Sequence, residues 1–374
     1  MTEDLRDAAL DANLRAFLVS YAEEGAGLAL PDQVIAERVA ARLAARRQKP
    51  TRRLVLVLVT IFLLTALAAG AIYVATQLIG DAYVPNEDLV RVALPGAPVS
   101  LAAVYGSIWV APFDAANPEL VELDPPTGDI RRTVPIPGHV CGQIQAGFGQ
   151  LWIPHCPDVA MVSIVDPTTL QVRRLSGVRA HSVAFGDGSV WLPTGDGRLE
   201  RVDPATLDAQ ATVDVEPGTV DVAVGFDSVW AASPQGAVLR IDPATLAVIA
   251  RIDVGAQGGD NRSIVTADEG VWLLNEQELS IYRIDPATNV ATRLDLRLQP
   301  ILEDLYPTEH GLVAGAGSVW VRQDDTTIVR IDPETLEAIA RFVAPKGGGA
   351  FAVSPGALWA SGPADAEVWG SRLP

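Results

Sequence analysis

The stretch HSVAFGDGSVWLPTGDGRLERVDPATLDAQATVDV, residues 181–215, decides how the chain folds. It holds four short runs that alternate apolar and polar side chains, separated by turn chemistry, and that period of two belongs to strands. Between the first two runs, FGDG supplies the positive-φ residues that a tight hairpin needs. Between the last two, DPAT puts Asp at the first turn position, where its carboxylate accepts local N–H groups. Pro follows, with φ already set near −65°. The stretch reads as a four-stranded meander.

Working outward, the same phrases return. Tryptophans at 109, 152, 191, 230, 272, 320 and 359 recur at intervals of 43, 39, 39, 42, 48 and 39, each closing a phrase such as GSIW, GSVW or GALW. In six units a DP phrase follows, with aspartates 124, 166, 203, 242, 285 and 332. Four strands at a period near 40 predict radially arranged sheets, because each sheet buries both faces only against its neighbours. Seven repeats predict an all-β, seven-bladed propeller over residues 88–374. The DP pairs read as turns that make the fold rather than as catalytic groups.

The seventh unit, GALWASGPADAEVWGSRLP, has room for only three strands. DLVRVALPG at 88–96 mimics the missing outer-strand phrase, VIARIDVG at 248–255. Residues 88–94 are therefore expected to pair with 364–372, closing the ring and removing an exposed edge.

Upstream of the propeller, LVLVLVTIFLLTALAAGAIYVAT (54–76) carries no charged side chain. At ~1.5 Å rise per residue it matches the ~30 Å of bilayer hydrocarbon, so 54–79 is read as a transmembrane helix. A cleaved secretion signal is the rival reading, but 53 residues precede the run and such signals have short leading regions. Arg38, Arg42, Arg46, Arg47, Lys49, Arg52 and Arg53 crowd its N-terminal side. By the positive-inside bias the N-terminus is cytoplasmic and the propeller extracytoplasmic. Residues 1–53 are read as two short helices with a basic end. That piece is either a solvated stalk touching anionic lipid or a dock for a cytoplasmic partner. Residues 80–87 are read as a linker. The whole predicts a single-pass protein of a bacterial cell membrane, with the bilayer as a partner through 54–79.

The 374 residues carry 28 Lys plus Arg against 46 Asp plus Glu, a net charge of −18. Residues 1–53 hold 9 basic and 8 acidic groups, so the remainder, with 28 − 9 = 19 basic and 46 − 8 = 38 acidic, carries −19. Phosphate would be repelled, which excludes a general nucleic-acid binder.

Alignment on Trp exposes the inner strand. Eight residues earlier stand Leu101, Ile144, Val183, Val222, Ile264, Leu312 and Phe351, apolar as positions wedged between blades should be. One place before them come Ser100, Gln143, Ser182, Asp221, Ser263, Gly311 and Ala350, which by strand parity face the axis. That set either lines a solvent-filled hole or binds an ion or small polar molecule. His181, Arg262 and His310 share the station ten before Trp. The long insertions GAQGGDNRS (255–263) and QPILEDLYPTEHG (299–311) supply Asp260, Asn261, Arg262, Glu303, Asp304, Tyr306 and His310 as pocket candidates. With Ser182 and Asp221 they form the expected ligand-binding set; the alternative is that they are ordinary loop residues.

Cys141 and Cys156 fall opposite each other if Phe148 and Gly149 form a two-residue turn, since 141 plus 156 equals the hairpin sum of 297. A disulfide is favoured over free thiols in an oxidising exterior. A zinc site with His139 and His155 ranks last, because consecutive strand residues point to opposite faces.

GSVW followed by RIDPxT and IxRIDVG resembles the bacterial seven-bladed propellers of the streptogramin (virginiamycin B) lyase-like and YVTN-repeat surface-protein groups, over about residues 88–374. The resemblance specifies fold well and activity poorly. Streptogramin lyases open a cyclic depsipeptide ester by elimination, with a histidine base and bound magnesium. His181 or His310, with Asp260 or Asp304, would take those parts here. No local phrase fixes these positions to the family's catalytic ones, so the activity is not carried over. GxSxG, HExxH and Walker phrases are absent from the sequence. The first functional reading is an anchored propeller that binds or senses a ligand or protein without a cofactor. The alternative is an envelope lyase requiring Mg2+, and a scaffolding role is the third.

Overall fold

The computed structural model describes residues 83–84, 89–113, 118–156, 160–254, 262–276, 278–300 and 311–373. They form seven sheets. Six are meanders in chain order from the axis outward, as in the fourth blade with Asp221–Gly225, Ser228–Ser233, Ala237–Ile241 and Val248–Asp253. The helices expected over 1–53 and 54–79 lie outside the described residues. Among the described residues no helix is long and apolar enough to cross a membrane.

Seven apolar clusters fill the seams between blades, and each contains one repeating tryptophan. Trp230 packs with Ile264 and Val271 of the next blade. Trp359 packs with Leu101 and Ile108 of the first, which completes the circle. None of the seven is more than 1% exposed. At about 150–250 Å² of buried area per aromatic side chain, these indoles are the principal inter-blade contacts.

The two sequence phrases keep one register because they are cross-strand neighbours. Trp191, Trp230 and Trp320 stand opposite Arg201, Arg240 and Arg330, the arginines of the RVDP and RIDP phrases. Each guanidinium lies over its indole, 5.6, 4.8 and 5.3 Å from the ring centroid. Two of them also reach the DP turn of the following blade. Arg201 donates to the Pro243 carbonyl at 3.0 Å and Arg240 to that of Pro286 at 2.6 Å. In the first two blades an outer-strand arginine does the same, Arg132 to Pro167 at 3.0 Å and Arg173 to Pro204 at 2.9 Å.

The DP turns have the geometry their chemistry predicts. Asp203 Oδ1 accepts the N–H groups of Ala205 and Thr206 at 2.8 and 3.0 Å. Asp166, Asp242, Asp285 and Asp332 repeat the pattern. These main-chain donors hold the carboxyls below the usual range. The residue four after Asp takes left-handed φ, as at Leu207 (66°) and Leu246 (62°).

The seventh blade takes its outer strand from Val90–Ala93, antiparallel to Glu367–Arg372 in the register Val90↔Gly370 to Ala93↔Glu367. Arg91 stacks on Trp369 at 4.2 Å. Val92 is buried in the seam with the first blade. Here the first DP turn departs from its siblings: Gly128 occupies the left-handed position at φ 76°. A Cβ there would stand 2.5 and 2.7 Å from methyl groups of Val90 and Val92, so the borrowed strand fills the space that Leu uses elsewhere.

Two sequence expectations need correction. The 80–87 stretch is more than a linker, because Tyr83–Val84 forms a fifth strand on the sixth blade, parallel to Ala338–Val343. Main-chain groups on that outer edge accept a strand whatever its side chains, so pattern reading missed a two-residue piece. The second correction is the cysteine register. Phe148 and Gly149 do form the turn, with φ of 53° and 75°, and Gln145↔Trp152 keeps the sum of 297. Further out, Val140↔His155 sums to 295, a slip of two. The inner strand breaks at Gly142, where a Cβ would meet the His181 carbonyl at 2.3 Å. Cys141 and Cys156 are nevertheless joined, with Cα atoms 4.8 Å apart.

Candidate functional site: the axial cavity

Inner strands from all seven blades surround a cavity of about 780 Å³ on the axis. Each is short and runs along the axis, so both its small polar and its apolar residues reach the wall. Gln143, Ser182, Asp221, Ser263 and Gly311 line it, and so do Leu101, Ile144, Val183, Val222, Ile264, Leu312 and Phe351. The latter are at most 4% exposed, since most of each side chain is sunk between blades. Ser100 and Ala350 are buried and are not among the lining residues.

Two of the axial residues have a mechanical part that sequence reasoning missed. Ser100 Oγ accepts the Ile144 N–H at 2.7 Å, and Asp221 Oδ2 accepts the Ile264 N–H at 2.8 Å. Both contacts tie one inner strand to the start of the next. They satisfy N–H groups that have no partner strand across the seam. Asp221 Oδ1 also accepts the Val222 N–H at 2.8 Å. Desolvation dominates this carboxyl and pushes its pKa up to about 6, while those N–H groups and the nearby Ser182 and Ser263 hydroxyls oppose the rise. Ser182 Oγ is buried and makes no hydrogen bond of normal length, so it adds polarity to the wall without being consumed by the fold.

His181 lines the cavity, and burial lowers its pKa, leaving a neutral imidazole near pH 7. The other described histidines are engaged away from the cavity wall. His155 is 2% exposed and its Nε2 is 2.8 Å from Ser163 Oγ. His139 Nδ1 contacts the Phe113 carbonyl. Arg262 opens the inner strand of the fifth blade opposite Asn275. The candidates Asp260, Asn261, Glu303, Asp304, Tyr306 and His310 lie outside the described residues.

The described wall offers a divalent cation one carboxylate, already bonded to two main-chain N–H groups, and one imidazole. That set falls short of the oxygen-rich shell magnesium demands. Among the described residues no three or more His, Cys, Asp or Glu side chains cluster as a metal site.

Arg322, which the sequence pattern did not single out, is fully buried at the seam between the sixth and seventh blades. Its guanidinium donates to the carbonyls of Gly349, Asp325, Pro345 and Ser361 at 3.1–3.3 Å. Burial pulls its pKa down to about 10, so it remains charged at neutral pH. The only hint in the sequence is the arginine that follows SVWV in the sixth unit, where sister units carry apolar or small residues.

No family model and no curated protein matches the chain. Among solved structures it is similar to BamB from Moraxella catarrhalis, with 14% identity, 74% of this chain and 84% of that chain covered, and a TM-score of 0.49. A chain of a mitotic checkpoint complex is similar at 11% identity, 78% and 96% coverage, and a TM-score of 0.61. At such identities the likeness shows the propeller fold alone.

Proposed function

We propose that this protein is a single-pass, membrane-anchored propeller, N-terminus cytoplasmic, whose extracytoplasmic ring binds a ligand or partner protein. The axial cavity carries the reading. It is walled by rigid inner strands, and polar groups of Gln143, Ser182, Asp221, Ser263 and His181 converge on it within apolar surroundings, the mixture that ligand pockets favour. A solved neighbour in fold is itself a chain of a complex, in keeping with a propeller serving as a platform for proteins. The test is a thermal-shift screen of the full chain in detergent against metals, sugars and peptides. A ligand selective for the native state raises the unfolding temperature, by an amount that grows with the logarithm of its concentration over Kd once that ratio is large. Ser182→Leu, which blocks the wall, should abolish that shift. A ligand whose shift survives the substitution binds elsewhere and overturns the assignment.

The neutral His181 imidazole at the cavity wall favours one second reading, an envelope lyase with this histidine as base. Turnover of a cyclic ester that disappears in His181→Ala while folding is retained would establish it. Turnover unchanged by that substitution would remove it.

A further inference from the structure

The two flat faces of the propeller are chemically different. One, here the turn face, carries the hairpins between first and second strands and the DP turns. The other carries the connections between blades. Nine large apolar side chains are well exposed among the described residues, and seven of them sit at the turn face. Tyr105 and Phe148 occupy the inner hairpins and are 48% and 47% exposed. Ile130, Val248, Ile249, Val290 and Ile339 stand where outer strands leave the DP turns, with exposures from 37% at Ile339 to 59% at Val290. Singly exposed apolar residues are ordinary; their collection on one face is what marks an interaction surface.

Strand direction says what that face meets. Ala338 pairs with Ile331 beside a DP turn, so Ala338–Val343 runs away from the turn face. Tyr83–Val84 runs parallel to it, with Tyr83 opposite Arg341. Chain arriving at Tyr83 therefore comes from the turn-face side. The apolar span read from the sequence ends at residue 79, four Cα steps earlier, at most about 14 Å of extended chain. Charge at that face suits zwitterionic rather than anionic lipid. The DP aspartates stay ionised, held below the usual carboxylate range by their turn N–H groups, and Asp187, Asp227, Asp268 and Glu269 are exposed on the inner hairpins, while Arg132, Arg173, Arg201 and Arg240 bring positive charge to the DP turns.

We propose that the turn face is the bilayer-facing surface of the propeller, with Tyr105, Phe148 and the outer-strand aliphatics seated at the headgroup level of the lipid. The amphipathic ring of Tyr105 favours that zone, and Phe148 and the aliphatic side chains supply apolar area to it. The proposal rests on the anchor reading above. It leaves the opposite face, toward which Gln143, Ser182 and Asp221 lie at the starts of the inner strands, open to the exterior.

The experiment uses the full chain in phosphatidylcholine nanodiscs, carrying one nitroxide at a time on Leu63→Cys, Asp227→Cys or Lys346→Cys. The native cysteines are joined and do not take the label. Accessibility to lipid-soluble oxygen is compared with accessibility to a water-soluble nickel chelate. The expected result is a lipid-embedded label at 63, a several-fold higher oxygen-to-nickel ratio at 227 than at 346, and loss of that difference when Tyr105→Ser and Phe148→Ser are combined. A label at 63 in lipid with equal ratios at 227 and 346 overturns the docking proposal while leaving the anchor intact. A label at 63 in water removes the anchor reading and this proposal with it.

Discussion

The seam between the fourth and fifth blades and the two seams flanking the seventh blade solve one packing problem by different means. In the ordinary seam the parts repeat: Trp230 fills the gap, Arg240 covers its ring and reaches the next DP turn, and Asp242 builds the turn that precedes the outer strand. At the seventh blade there is no DP turn, and the outer strand comes from residues 90–93. The repeat is replaced there by individual devices: Arg322 buried among four carbonyls, Gly128 cleared of side chain, and Arg91 on Trp369. Repeated seams share their load among many similar contacts, whereas the closing seams concentrate it in a few residues without a sister position.

The contrast can be broken most forcefully at Arg322. Arg322→Met keeps the volume but strands four buried carbonyls, so a loss of about 3 to 5 kcal/mol is expected by urea unfolding of the full chain in detergent. A loss below about 1 kcal/mol would mean the closing seam is no more concentrated than the others. Gly128→Leu restores the residue found in four of the five sister turns and should cost about 3 kcal/mol, through collision with Val90 and Val92. Leu207→Gly, the reverse change in an ordinary turn, should cost at most about 1 kcal/mol, because glycine relieves a positive φ while losing apolar contact.

Asp221 sharpens the comparison through pH. Its folded pKa of about 6 lies above the ordinary aspartate value of 3.8, so the folded state holds the proton more tightly. Its contribution is favourable below about pH 4 and declines as pH rises towards 6. Asp221→Asn should remove this decline. The variant would gain on the order of 3 kcal/mol relative to wild type between pH 4 and 7, read from paired unfolding curves. An unchanged difference across that range would show that Asp221 does not titrate there. In the ordinary seam, Arg240→Met loses the indole stack and the hydrogen bonds to Ser228 Oγ, the Pro286 carbonyl and Asn289 Oδ1, about 2 kcal/mol and still below the loss at Arg322.

Much of this architecture was legible before any coordinates. Tryptophans at a period near 40 gave the seven seams, and the DP phrases gave the turns, because each answers to local backbone chemistry. The borrowed strand was legible too, since VRVA at 90–93 carries the same alternation as its sister outer strands. The axial wall was legible only as a pattern. Parity pointed to the small polar set, but the apolar set reaches the wall as well, Ser100 and Ala350 do not line it, and Ser100 and Asp221 are taken up by N–H groups of the neighbouring blade.

What the sequence alone determined is the repeat, its number and the chemistry of its turns, because those depend on residues within one unit of about 40. Tertiary structure decided the slip that brings Cys141 to Cys156 off the hairpin register, the burial of Arg322, the raised pKa of Asp221 and the gathering of exposed apolar residues on one face. Each of these arises where one blade meets another. The physical reason is that desolvation, steric exclusion and unpaired main-chain donors at a seam are set by two segments far apart in the chain.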